Sequence, residues 1–213
     1  RISSGVMSNR RILLLELTDP TGARTWSECV GGETPNYSPE TIDTGWMAIS
    51  EWVAPRVLGV MFRHPGDVHA VLEKDFRGHN MAKAAVEMGM WAIAAQPDGV
   101  PLARLIGGTR SSIATGISLG IQQSPAALVD KASAALALGY RKVKIKIMPG
   151  ADVEFVRAVR DALGAGAPLM ADANNAYSLD DVDRLAELDA LDLMMIEQPL
   201  AHDDLVRHAE LQR

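Results

Sequence analysis

From Ser112 onward, short apolar strands alternate with amphipathic helices, and this alternation restricts the fold more than any other feature of the sequence. The predicted strands span residues 113–121, 141–147, 169–172 and 193–197, and the helices that follow them span 124–138, 152–163, 179–188 and 203–212. Four successive βα units require parallel strands joined by right-handed crossovers. This pattern fits either a doubly wound sheet or a (β/α) barrel.

The first predicted strand is not followed by a glycine-rich phosphate-binding loop. Gly116 and Gly120 lie inside the strand or at its end, and no G-x-G-x-x-G motif is present. A dinucleotide site in a doubly wound sheet uses such a loop directly after its first strand. We therefore favour the barrel, of which four βα units form half.

The first half of the chain is organised differently. Residues 11–17 and 25–30 predict two strands, and the turn residues Asp19–Gly22 between them indicate a hairpin. Helical patterns follow at residues 40–55, 66–73 and 80–96. We predict an α+β domain at residues 1–108 and the half barrel at residues 109–213.

The composition limits the compartment and the partners. The 213 residues carry 21 basic and 27 acidic side chains, a net charge of −6, and no stretch of basic residues interleaved with aromatics, so nucleic acid is not an expected partner. A single cysteine, Cys29, excludes an internal disulfide and fits the cytoplasm. No apolar run approaches the roughly 20 residues of a membrane helix, so no membrane partner is expected.

The second predicted strand alternates lysine with apolar residues. A period of two puts Lys142, Lys144 and Lys146 on one face and apolar side chains on the other. On an edge strand this pattern is a solvated face, whereas inside a barrel one of the lysines could act as an amine base. Both interpretations are open for this segment alone.

The third and fourth predicted strands each end in one carboxylate, Asp172 and Glu197. A buried carboxylate is costly unless it is paired or bound to a cation. Asp172 could cap the following loop, and Glu197 could pair with an arginine. The same ending on two neighbouring strands favours a different interpretation, in which both are oxygen ligands of a divalent cation such as Mg²⁺.

The lysines and carboxylates fall at the carboxyl ends of consecutive strands, where parallel α/β folds place reactive groups. A metal held there would bind a substrate carboxylate and stabilise the enediolate that forms when a lysine removes the α-proton. Both the metal and the lysine are needed, because the α-proton of a carboxylate anion is too weakly acidic for an amine to remove without the metal. The sequence thus predicts a small-molecule carboxylate substrate.

These motifs resemble those of the enolase superfamily, of the mandelate racemase/muconate lactonizing enzyme type. Lys144-Ile145-Lys146 resembles its K-x-K motif, and Asp172-Ala173-Asn174 and Glu197-Gln198-Pro199 resemble its first two metal-ligand strands. The segments similar to the o-succinylbenzoate synthase and N-succinylamino acid racemase group are residues 116–121, 146–150 and 172–177. The resemblance covers nearly the whole chain.

The resemblance implies an α/β fold in which an α+β capping domain precedes a TIM-type barrel. It implies that Lys146 is the acid/base catalyst and that Lys144 eases its loss of a proton or contacts the substrate carboxylate. Asp172 and Glu197 would be ligands of Mg²⁺, with Mn²⁺ as an alternative. Asn174 would orient a ligand.

The resemblance also implies where substrate contacts lie. Loops of the capping domain close over the barrel mouth in this family, so residues 2–7 and 31–37 are candidate specificity segments. Ser118, at the end of the first barrel strand, is a candidate substrate contact.

The family's third metal ligand lies on the fifth barrel strand and its opposing lysine on the sixth, whereas this sequence ends within the fourth helix. The sequence also begins with Arg1 rather than Met. We therefore expect a truncated chain, whose capping domain lacks its first part.

The implied activity is that of a metal-dependent lyase or isomerase, and a homo-oligomer is expected. We favour o-succinylbenzoate synthase (dehydration), N-succinylamino acid racemase, or both. One lysine suffices for dehydration, whereas two-base racemisation needs the opposing lysine. The alternatives are a dipeptide epimerase, a muconate cycloisomerase, a sugar-acid dehydratase, or a noncatalytic half barrel that binds a carboxylate or a partner chain.

Overall fold

The computed structural model describes residues 9–97 and 99–213, so the predicted specificity segment at residues 2–7 lies outside the described residues. The described chain divides into two compact units, one ending at Ser111 and one beginning at Ser112. The assignment of residues 1–108 and 109–213 to a capping domain and a half barrel stays a prediction.

The first unit combines a hairpin with helices. Its strands are β1 (Leu13–Thr18) and β2 (Arg24–Cys29), which are antiparallel. Its helices are α1 (Ile42–Ala48), α2 (Ala54–Val57), α3 (Asp67–Glu73), α4 (Asn80–Ala94) and α5 (Leu102–Leu105), with a π-helical turn at Ile49–Val53. None of the helices in the described residues is long and apolar enough to cross a membrane.

The hairpin packs on α4, and a small residue allows the close approach. A Cβ atom at Gly89 would lie 2.6 Å from a methyl carbon of Leu17, so a larger residue would require the Leu17 side chain to move. Ser27 on β2 donates a hydrogen bond of 2.6 Å to the carbonyl of Ala85.

The second unit alternates strands and helices along the chain. Its strands are β3 (Gly116–Leu119), β4 (Lys142–Lys146), β5 (Leu169–Asp172) and β6 (Ile196–Glu197). Its helices are α6 (Pro125–Ala137), α7 (Val153–Leu163), α8 (Val182–Ala186) and α9 (Leu205–Leu211). The strands are parallel and lie in the order β3-β4-β5-β6. Within the described sheet this order lacks the reversal that defines a doubly wound fold, and so agrees with the predicted barrel arrangement.

Several predicted elements are shorter or more broken than expected. The helix predicted at residues 40–55 is interrupted by the π-helical turn between α1 and α2. The predicted helix at 179–188 is replaced by a 3-10 turn at Leu179–Asp181, then α8, then a 3-10 turn at Asp189–Leu191. Side-chain capping between Ser178 and Asp181 tightens the start of this segment. The predicted strand at 193–197 is reduced to β6, and the predicted strand at 113–121 is reduced to β3.

The alternation in β4 divides the sheet into an apolar face and a polar face. Val143 and Ile145 are fully buried in the core, together with Leu128 of α6 and Val156 of α7. The lysines of β4 are only partly buried and lie on the opposite face, as the period of two predicts. The apolar face therefore fixes which side chains the sheet presents at its other surface.

Arg160 of α7 joins the loops that lead into β5 and β6. The side chain is 8% exposed. It donates hydrogen bonds of 2.8 to 3.2 Å to the carbonyl oxygens of Gly164, Ala165, Ala167, Leu191 and Asp192. These carbonyls precede the two strands that carry the predicted carboxylates. Arg160 thus fixes where both strands begin.

Replacing Arg160 with methionine should lower the free energy of unfolding by about 3 kcal/mol, because five backbone carbonyls lose a charged donor. Urea unfolding of the full-length protein, followed by circular dichroism, measures this difference. Arg157→Met is the matched control, since Arg157 is exposed on the same helix and its replacement should cost less than about 0.5 kcal/mol. Equal losses in the two variants would contradict the role assigned to Arg160.

Candidate functional site

The register of the parallel sheet arranges the predicted site residues in two neighbouring cross-strand rows. Ser118 pairs with Lys144 and belongs to the first row. Lys146, Asp172 and Glu197 form the second row. The rows are two residues apart along the strands, so their side chains emerge on the same face of the sheet. The residues chosen from the sequence are thereby brought together at the carboxyl ends of the strands.

Asp172 lies at the centre of this group and is 1% exposed. Its Oδ2 atom lies 2.5 Å from Nζ of Lys146 and 3.0 Å from Nζ of Lys144, and its Oδ1 accepts a hydrogen bond from the backbone N–H of Asn174. Burial alone raises the pKa of Asp172, but its hydrogen bonds with the two lysines outweigh burial and hold the pKa below its usual value. The carboxylate is therefore ionised inside the protein because cations surround it.

Lys144 bridges the two predicted metal ligands. Its Nζ lies 3.0 Å from Asp172 and 3.1 Å from Oε2 of Glu197. Burial lowers the pKa of Lys144, but the hydrogen bonds to both carboxylates outweigh it, so that the pKa lies above its usual value. Lys144 is a permanent cation in this arrangement.

The lysine face is not a solvated surface at this end of β4. The side chains of Lys144 and Lys146 are 25% and 13% exposed, and both are paired with carboxylates. Glu197, which could have paired with an arginine, is paired with Lys144. The geometry thus favours the functional interpretation of the strand over a solvated edge.

Asn174 contacts two residues of the second row, Lys146 and Asp172. Its Oδ1 atom accepts a hydrogen bond of 2.6 Å from Nζ of Lys146, while its backbone N–H binds Asp172. It has a φ of +44°, a left-handed conformation that asparagine tolerates better than most residues. Asn174 therefore positions the candidate base as well as the carboxylate. Its role toward a metal stays a prediction.

Ser118 lines a cavity of about 240 Å³ on the same face. The cavity is lined by Gly116, Ile117, Ser118, Lys142, Lys144, Met170 and Glu197. Ser118 thus shares one space with Lys144 and Glu197, as a substrate contact would require. That contact stays a prediction.

The donor atoms of this site fit Mg²⁺ in kind. Asp172 and Glu197 both approach a single cationic group, Nζ of Lys144, and ionised carboxylate oxygens are the ligands that Mg²⁺ prefers. In the described part of the chain, no group of three or more His, Cys, Asp or Glu side chains could hold a metal ion. The assignment of Asp172 and Glu197 as metal ligands stays a prediction.

Asp152, Tyr177 and Arg184 form a second polar cluster that was not predicted from the sequence. Asp152 is 2% exposed and Tyr177 is 7% exposed. Two signals were available in the sequence: Asp152 lies two residues after Gly150 of the Pro149-Gly150 turn, and Tyr177 closes the motif that begins at Asp172. Neither signal shows that the two side chains meet.

Two family profiles match the chain. The mandelate racemase/muconate lactonizing enzyme N-terminal domain matches residues 1–107, and the enolase C-terminal domain-like family matches residues 127–213. Together they cover most of the sequence.

Curated relatives carry enzyme names. The chain is 44% identical over 210 residues to an o-succinylbenzoate synthase of Geobacillus kaustophilus, and 43% identical over 211 residues to an N-succinylamino acid racemase of Thermus thermophilus. In both cases the match covers 99% of this chain and 56% of the relative. The chain thus spans a little over half the length of the curated relatives it matches.

Solved structures agree with this relationship. An unknown member of the enolase superfamily from Enterococcus faecalis V583 matches with a TM-score of 0.89 and 40% identity, over 95% of this chain and 54% of that one. A muconate lactonizing enzyme from Pseudomonas fluorescens, 24% identical over 100% of this chain and 58% of that one, matches with a TM-score of 0.90 and shares the fold. The chain belongs to the mandelate racemase/muconate lactonizing enzyme family of the enolase superfamily.

Proposed function

We propose that the protein removes the proton α to a carboxylate in a Mg²⁺-dependent reaction, with Lys146 as the base. The observation that carries this proposal is the meeting of Lys146 with Asp172 and Glu197 in one cross-strand row at the carboxyl ends of the strands. The favoured reactions are o-succinylbenzoate formation and N-succinylamino acid racemisation. Relatives with these two names, at 44% and 43% identity, support that choice.

Lys146 is suited to be the base because its Nζ is held in a fixed direction. It donates hydrogen bonds to Asn174 at 2.6 Å and to Asp172 at 2.5 Å. A base must lie within hydrogen-bond reach of the proton that it removes, and a fixed amine loses less freedom in reaching that position. In a dehydration, the same amine would return the proton to the leaving hydroxyl.

Lys144 is suited to bind the carboxylate of the substrate rather than to remove a proton. Its Nζ lies 3.0 Å from Asp172 and 3.1 Å from Glu197, so its ammonium group is placed to pair with a carboxylate at this site, including that of the substrate. Asp172 and Glu197 would hold the Mg²⁺, or Mn²⁺ as an alternative. Bound Mg²⁺ supplies positive charge that stabilises the enediolate.

Replacing Lys146 with alanine should lower kcat at least about 100-fold, the usual contribution of a general base, while both carboxylates remain to bind Mg²⁺. Steady-state assays with an N-succinylamino acid and with the synthase substrate measure turnover, and calorimetric titration measures Mg²⁺ affinity. Lys131→Ala is the control, because Lys131 is an exposed lysine on α6 and lies outside the cavity that Ser118 lines. Unchanged turnover in the Lys146 variant would refute the assignment of the base.

Chelation of divalent metal should abolish turnover, and Mg²⁺ or Mn²⁺ should restore it. Mg²⁺ at about 100 times its Kd should also stabilise the folded protein by about 2.7 kcal/mol, seen as a rise in Tm. Glu197→Gln removes one anionic ligand and should shift both responses to higher Mg²⁺ concentration.

The absence of any Mg²⁺ effect on turnover or Tm would contradict the proposal and favour a noncatalytic protein that binds a carboxylate or a partner chain. Turnover of dipeptides alone would favour an epimerase, the name of an Enterococcus faecalis relative that is 28% identical.

A further inference from the structure

Asp152 is buried directly after the loop that leaves β4. Backbone hydrogen bonds between Met148 and Ala151, of 3.3 and 2.8 Å, close the turn between the strand and Asp152. The side chain of Asp152 then caps α7 by accepting a hydrogen bond of 2.7 Å from the backbone N–H of Val153. Its position relative to the end of β4 is thereby fixed by the turn on one side and the helix on the other.

Tyr177 connects this loop to two others. Its hydroxyl donates a hydrogen bond of 3.2 Å to Oδ2 of Asp152, and its backbone N–H donates one of 3.1 Å to the carbonyl of Pro199. Burial, followed by the charge and hydrogen bond of Asp152, raises the pKa of Tyr177 well above its usual value. The hydroxyl therefore stays protonated and remains a donor.

Arg184 of α8 offsets the free-energy cost of burying Asp152. Its Nη2 lies 2.6 Å from Oδ1 of Asp152, and its Nε lies 3.4 Å from Oδ2. The same guanidinium also pairs with Glu154 and Glu187. An ionised carboxylate this deeply buried needs such a partner. Asp152 therefore has a cationic partner in Arg184 in addition to the hydroxyl of Tyr177.

The three loops that meet at Tyr177 are those that follow the predicted site residues. The loop with Asp152 follows Lys146, the loop with Tyr177 follows Asp172, and Pro199 lies just after Glu197. Two further backbone hydrogen bonds, from Ala173 to the carbonyl of Glu197 and from Asn175 to that of Gln198, join the second and third loops. Close to the strands, the first and second loops are joined by the backbone hydrogen bond of 2.9 Å from Ile147 to the carbonyl of Asp172. Farther from the strands, they are joined by the hydrogen bond of the Tyr177 hydroxyl to Asp152.

We propose that Tyr177 is a positioning residue for the candidate site. Its hydroxyl and its backbone N–H hold together the loops that follow β4, β5 and β6, and so set the base relative to the two carboxylates. The expected effect of Tyr177 on turnover rests on the proposed function. The hydrogen bond between Tyr177 and Asp152 does not depend on which substrate is used.

Tyr177→Phe tests the inference because it removes one hydroxyl and keeps the ring. We expect kcat and Mg²⁺ affinity each to fall about 10-fold, the lower end of the effect of removing a group that orients metal ligands, with little change in substrate KM. A purely structural role would lower Tm without changing kcat in the folded enzyme. Tyr140→Phe makes the same chemical change just before the amino end of β4 and should leave kcat unchanged.

Variants of Asp152 keep the test valid if the Tyr177 variant folds poorly. Asp152→Asn retains an acceptor oxygen for the tyrosine hydroxyl, so its kcat should exceed that of Asp152→Ala. Adding Tyr177→Phe to Asp152→Ala should lower kcat no further, because both changes break the same hydrogen bond. Additive losses would overturn the link between the two residues.

Different experimental results would overturn this inference and the proposed function. An inactive wild-type protein overturns the proposed function, and amide hydrogen exchange then tests the link, since exchange at residues 173–177 should speed up in Tyr177→Phe. An active wild type, with wild-type kcat, Mg²⁺ affinity and exchange rates in Tyr177→Phe, overturns the inference and leaves the proposed function intact.

Discussion

The buried carboxylate of Asp172 depends on the two lysines of the neighbouring strand, and the architecture around it depends on that contact. At 1% exposure an anion is stable only where cations reach it, and β4 provides two at 2.5 and 3.0 Å. This requires β4 and β5 to be adjacent and parallel, in the register that pairs Lys146 with Asp172. The same contact gives the lysines different tasks, because Lys144 also binds Glu197 while Lys146 binds Asn174.

The two ends of the sheet are held by different means. At the amino ends, Arg160 binds the carbonyls that precede β5 and β6. At the carboxyl ends, the Asp152–Tyr177 pair and backbone hydrogen bonds hold the loops. This division fits parallel α/β barrels, in which one end stabilises the fold and the other carries the chemistry. The strands that carry the site residues are therefore held by contacts at both ends.

The residues with regular spacing were predictable from the sequence. The period of two in β4 identified the polar and apolar faces, and the carboxylates at two strand ends identified the row with Lys146. Features that depend on tertiary contacts were not predictable. The hydrogen bond of Tyr177 to Asp152 joins residues from two separate loops, and neither residue has a periodicity that reveals it. The division of the predicted 179–188 helix into short turns depends on local capping by Ser178 and Asp181, which competes with helical periodicity.

The most direct test of the account is exchange of the substrate α-proton with deuterium. An N-succinylamino acid incubated with the full-length protein in D₂O, followed by proton NMR, should lose its α-proton signal with Mg²⁺ present. The loss should cease on chelation. In Lys146→Ala it should cease for at least one enantiomer of the substrate, because an opposing lysine could remove the proton only from the other face. Exchange that persists without metal, or in both enantiomers without Lys146, would contradict a mechanism in which this lysine removes the proton beside a metal-bound carboxylate.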